Sequence, residues 1–135
     1  MSGIVLDTSV FVSIFKNESQ SARLERTLWN AKNVFVPVVC LIELALLSRI
    51  SETMVPWANE LVNDACYRLV DLSLAEAQIA TTAAQTYGKG SGHRAKLNFG
   101  DCLVYAAAKH REMPLLYVGD DFVHTDLVAA QILEA

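Results

Sequence analysis

A chain of 135 residues, 53% hydrophobic and 19% charged, has the size of one domain, expected to span residues 1–135, and is too apolar for intrinsic disorder. Eleven basic against fifteen acidic residues leave a net charge of −4, which excludes a general pull of the whole surface toward nucleic acid, so any polyanion must be met locally. Three cysteines without metal-ligand spacing (Cys40, Cys66, Cys102), and no apolar run long enough to cross a bilayer, argue against a zinc or disulfide framework and a membrane anchor, and for a soluble cytoplasmic protein.

In chain order, Ile4, Val5 and Leu6 form an apolar run closed by Asp7, Thr8 and Ser9, the pattern of a buried parallel strand, after which a helix begins. Ser19 or Ser21 is expected to open a second helix with Leu24 and Leu28 on its inner face, Trp29 beside them and Asn33 as its stop. Residues 34–36 make a second strand that Pro37 should end. Residues 39–51 are apolar nearly all round and predict a helix buried on most sides, with Glu43 inside it; a less regular helix covers 54–65. Residues 67–70 read as a third strand.

Ser73 and Glu76 match a capping box, and the following helix repeats Ala77, Ala80, Ala84 and Tyr87 on one narrow face until Gly88, Gly90 and Gly92 break it. Residues 88–96 then carry Lys89, His93, Arg94 and Lys96 on what reads as a flexible basic loop. Asn98 is placed to cap a helix over 99–111, with Asp101 in its first turn. Residues 115–118 are a fourth strand, Gly119, Asp120 and Asp121 its closing turn, and 125–135 a short helix or a last edge strand. Short apolar strands alternating with helices predict an α/β fold with a mostly parallel sheet, whose ligand crevice lies beyond the carboxyl ends of the strands.

Four acidic loci stand where solubility does not ask for them: Asp7, Glu43, Asp101, and the group Asp120, Asp121 and Asp126. Brought together they would repel one another unless a hard cation compensated them, and magnesium or manganese suits oxygen ligands. Each also has a plain structural explanation. Asp7 suits a turn or helix cap, Asp101 a helix dipole, Asp120 and Asp121 a turn, and Glu43 a salt bridge to Arg49 or another base. Trp29 and Trp57 suit packing in the core or at an interface. The glycine-rich stretch at 88–92 follows a helix and lacks the ending of a phosphate-binding loop, and no serine or histidine sits in a nucleophile pattern.

Ile-Val-Leu-Asp-Thr-Ser at 4–9, the glutamate within Val-Val-Cys-Leu-Ile-Glu-Leu-Ala at 38–45, Asn-Phe-Gly-Asp-Cys at 98–102, and Gly-Asp-Asp-Phe with Thr-Asp between 119 and 126 resemble, as an ordered set, a PIN-domain ribonuclease. The sequence is most similar to the VapC toxins of bacterial toxin–antitoxin pairs. That resemblance implies a Rossmann-like three-layer α/β/α sandwich and a Mg2+-dependent endoribonuclease, with Mn2+ as a substitute, leaving 5′-phosphate and 3′-hydroxyl ends. It implies Asp7, Glu43, Asp101 and Asp121 as catalytic metal ligands, with Asp126 as runner-up for the fourth position and Asp120 third. Thr8, Ser9 and Thr125 are then expected to orient the carboxylates, and Lys89, His93, Arg94 and Lys96 to hold the RNA backbone. The implied partners are RNA, a VapB-type antitoxin, and a second copy of the chain in a homodimer or a toxin–antitoxin hetero-oligomer, the dimer seam expected on the apolar helices before residue 65, Trp57 among them. A non-catalytic PIN-like module that binds RNA or protein, and a phosphohydrolase for small phosphates, are the alternatives. Retention of all four acidic loci speaks against the first, and an open basic loop against the second.

Overall fold

The computed structural model describes residues 2–47, 49 and 52–134. The elements run β1 (Ile4–Leu6), α1 (Thr8–Phe15), α2 (Ser21–Asn30), β2 (Val34–Pro37), α3 (Val38–Leu47), α4 (Met54–Leu61), β3 (Tyr67–Val70), α5 (Leu74–Tyr87), α6 (Phe99–Arg111) and β4 (Leu115–Leu116). The four strands form one sheet in the order β3-β2-β1-β4, and every pairing is parallel. The chain thus winds outward from β1 through β2 to β3, then returns past β1 to β4. The reversal point lies between β1 and β4, and in folds of this kind ligands bind beyond the carboxyl ends of the strands at such a point. With helices flanking the sheet, this is a three-layer α/β/α sandwich.

The sheet is central because β1, β2 and β4 are apolar without alternation, while β3, with Arg68 and the exposed Leu69, forms an edge. Val5, Leu6, Val34, Val36, Leu115 and Leu116 are fully buried, as residues covered by helices on both faces must be. Against them pack Val10 and Phe11 of α1, Leu24 and Leu28 of α2, Cys40 and Leu44 of α3, and an unbroken buried run from Val104 to Ala108 of α6. The small side chains of that run let α5 approach closely through Ala80 and Ala83. Ala83 takes the inward place expected of Ala84, which is exposed.

Several expectations are corrected. Ser21 opens α2 as expected, being its buried first residue, but no serine caps it: Gln20 precedes the helix without a side-chain cap bond. That helix ends at Asn30, and Asn33 instead ties the chain by donating to Ser2 O and accepting from Arg68. Trp29 is 88% exposed because it lies on the face opposite Leu24, whereas Trp57 is half-buried against Phe11 and Phe15. Helix α3 is not buried on most sides. Its inner face is Cys40 and Leu44, while Ile42 and Leu46 are more than 60% exposed; the expected continuation through Ser48, Ile50 and Ser51 lies outside the described residues. Pro37 is the last residue of β2, paired with Val70. Strand β4 stops at Leu116 because the amide of Val118 bonds a side chain, the hydroxyl of Ser9. Beyond it, the tail is neither a helix nor a full strand. One bridge joins Ala129 to Leu115, and Thr27 and Arg23 of α2 hold Leu133. No helix among the described residues is long and apolar enough to cross a membrane.

Candidate functional site

Asp7 leaves the end of β1 and caps α1. Its Oδ2 accepts from the amide of Ser9 at 3.1 Å and from the Ser9 hydroxyl at 2.5 Å, and that hydroxyl accepts in turn from the amide of Val118 at 2.9 Å. Ser9 therefore couples the carboxylate at the end of β1 to the chain leaving β4. With only 6% of its surface exposed, Asp7 carries a carboxyl pushed up to about 6, chiefly by burial, partly offset by Ser9, and raised further by the charges of Glu43 and Asp121.

Glu43 sits one turn and a half into α3 and reaches back over the sheet end. Its Oε1 accepts from the Thr8 hydroxyl at 2.6 Å. No salt bridge with Arg49 is present among the described residues. Its carboxylate occupies the space that a Cβ at position 100 would need, so Gly100 is the gap in α6 through which Glu43 reaches the first turn of that helix. Burial raises the Glu43 carboxyl, Thr8 opposes, and Asp101 adds to the rise.

Asp101 stands next to Gly100 in a capping box: Asn98 Oδ1 accepts from the Asp101 amide at 2.8 Å, and Asp101 Oδ2 accepts from the Asn98 amide at 3.0 Å. It thus caps the helix as any first-turn acid would. Yet its carboxyl is also pushed up to about 6, by burial first, then by Asp121 and Asp7, against the Asn98 amide. Asp121 follows the left-handed turn at Gly119 (φ 97°), on a segment pinned by Phe122, which is buried against Tyr117.

Four carboxylates from four separate segments therefore act on one another electrostatically. None of them is in a salt bridge among the described residues. The same residues fit a hard cation by charge and donor type, since all offer carboxylate oxygen. No three of the described His, Cys, Asp or Glu side chains are drawn together closely enough to enclose an ion by themselves. Magnesium keeps several of its waters and engages one or two carboxylates directly, so such a set would hold it partly through water.

Two sequence expectations go elsewhere. Asp126 accepts from Tyr105 Oη and from Lys109 Nζ, both at 2.6 Å, and these two donors hold its carboxyl below the usual range, so its negative charge is already matched. Thr125 orients no carboxylate. Its hydroxyl donates to Phe122 O at 2.8 Å and accepts from the Leu127 amide, closing the turn. The basic loop is also not loose. Backbone bonds between Lys89 and Leu97 and between Leu97 and Tyr87 close it, and His93 braces it, its Nδ1 accepting from the Ala95 amide and its ring set edge-on to Tyr87. Lys89, Arg94 and Lys96 are left exposed on this frame, next to the start of α6. Sequence reasoning missed Gly100; a glycine in the first turn of a helix, beside an acid, is a poor helix former and was the available signal.

Against known proteins, the PIN domain family matches residues 4–127. Ribonuclease VapC28 of Mycobacterium tuberculosis is 33% identical over 129 residues, covering 94% of this chain and 97% of the relative. Ribonuclease VapC30 of the same species is 35% identical over 134 residues, covering 96% and 99%. Among solved structures, the sarcin-ricin loop cleaving toxin VapC20 of Mycobacterium tuberculosis has a TM-score of 0.74 at 16% identity over 95% of this chain and 98% of its own. A toxin-antitoxin complex from Klebsiella pneumoniae has a TM-score of 0.70 at 15% identity, over 94% and 96%. These two likenesses show the shared fold.

Proposed function

The chain belongs to the PIN-domain family, among the VapC ribonucleases, and on that premise we propose that it is a magnesium-dependent endoribonuclease and the toxin of a type II toxin–antitoxin pair. The observation that carries this reading is the convergence of Asp7, Glu43, Asp101 and Asp121 at the reversal point of the sheet, with three of the carboxyls raised by burial and mutual repulsion and none offset by a cationic side chain among the described residues.

These four residues would hold the divalent cation, Mg2+ or Mn2+ in its place. Bound there, it would supply Lewis-acid polarisation of a phosphodiester and a water acidic enough to act as nucleophile near neutral pH. The protein's own part is positioning. Ser9 fixes Asp7, Thr8 fixes Glu43, the Asn98 amide fixes Asp101, and Gly100 keeps the space between them open. Lys89, Arg94 and Lys96 offer point charges to the RNA backbone beside this site. His93 has one ring nitrogen committed to the loop and contributes mainly to its shape.

A VapB-type antitoxin is the proposed partner, and titratable carboxylates without salt bridges give its basic side chains something to pair with. The exposed Ile42 and Leu46 of α3 form the proposed homodimer seam, in place of Trp57, which is engaged within the fold. A cytoplasmic setting accords with free thiols at Cys40, Cys66 and Cys102. The direct test is cleavage of total RNA by the purified protein with Mg2+, with Mn2+ and with chelator, beside Asp7→Asn. Cleavage should need the cation and vanish in the variant while circular dichroism is unchanged. Cleavage that persists in chelator, or in folded Asp7→Asn, contradicts the reading.

A further inference from the structure

The two acids least tied to the sheet are Asp101 and Asp121, and they belong to different parts of the chain: the start of α6, and the turn after β4. What sets their spacing is therefore whatever ties that turn to that helix. Immediately after Asp121 the turn is anchored by Phe122 in the core. Three residues further on, the Thr125 hydroxyl closes the turn by donating to Phe122 O, and the next residue, Asp126, spans to α6, one and two turns beyond Asp101. There its Oδ1 accepts from the buried phenol of Tyr105 and its Oδ2 from the ammonium of Lys109, each at 2.6 Å. Tyr105 is 6% exposed and its ring packs on Tyr87, so the phenol end of this contact is fixed. A short bond to a fixed donor positions the acceptor, and the acceptor belongs to the segment that carries Asp121.

We propose that Asp126, gripped by Tyr105 and Lys109, is a positioning residue that holds the Asp121 turn against the helix of Asp101 and so sets how tightly the site takes up a divalent cation. The proposal rests on the reading of Asp7, Glu43, Asp101 and Asp121 as the cation site. It also makes a prediction with an unusual sign. Removing the positive charge of Lys109 should, by electrostatics alone, favour a cation; through loss of the clamp it should weaken binding.

The test is Mn2+ binding to the full chain, followed by electron paramagnetic resonance of free Mn2+, for wild type, Asp126→Ala, Tyr105→Phe, Lys109→Met and the reference Asp101→Asn, each checked for fold by circular dichroism. Asp126→Ala should weaken Mn2+ binding about tenfold, the scale typical of residues that orient metal ligands. Tyr105→Phe and Lys109→Met should each weaken it by a smaller factor, and Tyr105→Phe added to Asp126→Ala should cost nothing more, because both act through one contact. Tyr105→Phe is conservative enough to keep the test alive if the alanine variant folds poorly. Unchanged binding in Asp126→Ala while Asp101→Asn abolishes it reduces the contact to a fold element and overturns the proposal. Tighter binding in Lys109→Met and Tyr105→Phe makes Asp126 itself a ligand released by their loss, and overturns it as well. Wild-type binding that Asp101→Asn leaves intact overturns the underlying site, a result distinct from both.

Discussion

Helices α5 and α6 begin with the same device and put it to opposite uses. In α5, Ser73 and Glu76 exchange backbone and side-chain bonds; in α6, Asn98 and Asp101 do the same. Glu76 is the more buried acid, at 2% exposure, yet its carboxyl lies below the ordinary value. Burial pushes it up, and the 2.6 Å bond from Arg111, with those from Ser73, outweighs that push. Asp101 has no arginine to offset burial: burial first, with the charges of Asp121 and Asp7 adding to it, pushes its carboxyl up to about 6. Burial and a capping motif are therefore common to both acids, and what separates them is the sign of the charge opposite: a cation for Glu76, carboxylates for Asp101.

The largest test of that contrast exchanges each acid for its amide. Asp101→Asn should remove RNA cleavage altogether while the metal-free protein unfolds at the same temperature or higher, because a repulsive charge has gone. Glu76→Gln should leave cleavage intact and lower stability by about 1 to 3 kcal/mol, the range for losing a charged hydrogen bond, as read by urea unfolding. The reverse pattern would break the comparison. A sharper version removes the other partner: Arg111→Met leaves Glu76 buried and unpaired, which should cost about 3 kcal/mol of stability without altering the response to Mg2+.

Acidity sharpens the contrast further. A carboxyl raised in the folded state, like that of Asp7 from 3.8 to about 6, contributes stability that is full below the unfolded value and is lost as pH rises through the folded one. Glu76 and Asp126, whose carboxyls are lowered, lose their contributions only in stronger acid. Between pH 4 and 6 the raised groups therefore dominate. The metal-free protein should gain about 2 to 3 kcal/mol on acidification from pH 7 to pH 4 through Asp7 alone, measured by urea titration at each pH, and Asp7→Asn should remove that share of the slope while leaving the share due to Asp101 and Glu43. A slope of opposite sign would mean that the carboxylates are compensated by some cationic group.

How much of this was legible beforehand follows from the range of the forces involved. Local signals carried through: the apolar run ending at Asp7, the capping box of Ser73 and Glu76, the cap at Asn98, and the break after Tyr87 depend on a few neighbouring residues, and the structure has them where the sequence puts them. The capture of Asp126 by Tyr105 and Lys109, 21 and 17 residues away in sequence, is not local and left no mark in the residues around it. Likewise, the apolar side chains of α3 gave no hint which half would remain in solvent, because periodicity fails when every position but Glu43 is hydrophobic. Gly100 was visible as a residue and not as a role, since only the arrival of Glu43 explains it.

The smallest expected effect concerns the basic loop, which lies beside the acids without pairing with them. Replacing Lys89, Arg94 and Lys96 by Ala should weaken RNA binding and reduce the slope of log K against log salt by about 2, for three lost single-strand phosphate contacts. Fluorescence anisotropy of a labelled RNA with catalytically silent Asp7→Asn as background would show it. An unchanged slope would mean that the RNA backbone runs elsewhere.

The central claim, that the four carboxylates form one cation site, is tested most directly by metal-linked stability. Urea unfolding of wild type at pH 7.5 with increasing Mg2+ or Mn2+ should show stabilisation that grows with the logarithm of concentration, about 1.4 kcal/mol at ten times the dissociation constant. Glu43→Gln combined with Asp101→Asn should abolish it. Stability indifferent to both ions in wild type, or an equal gain in the double variant, would contradict the claim.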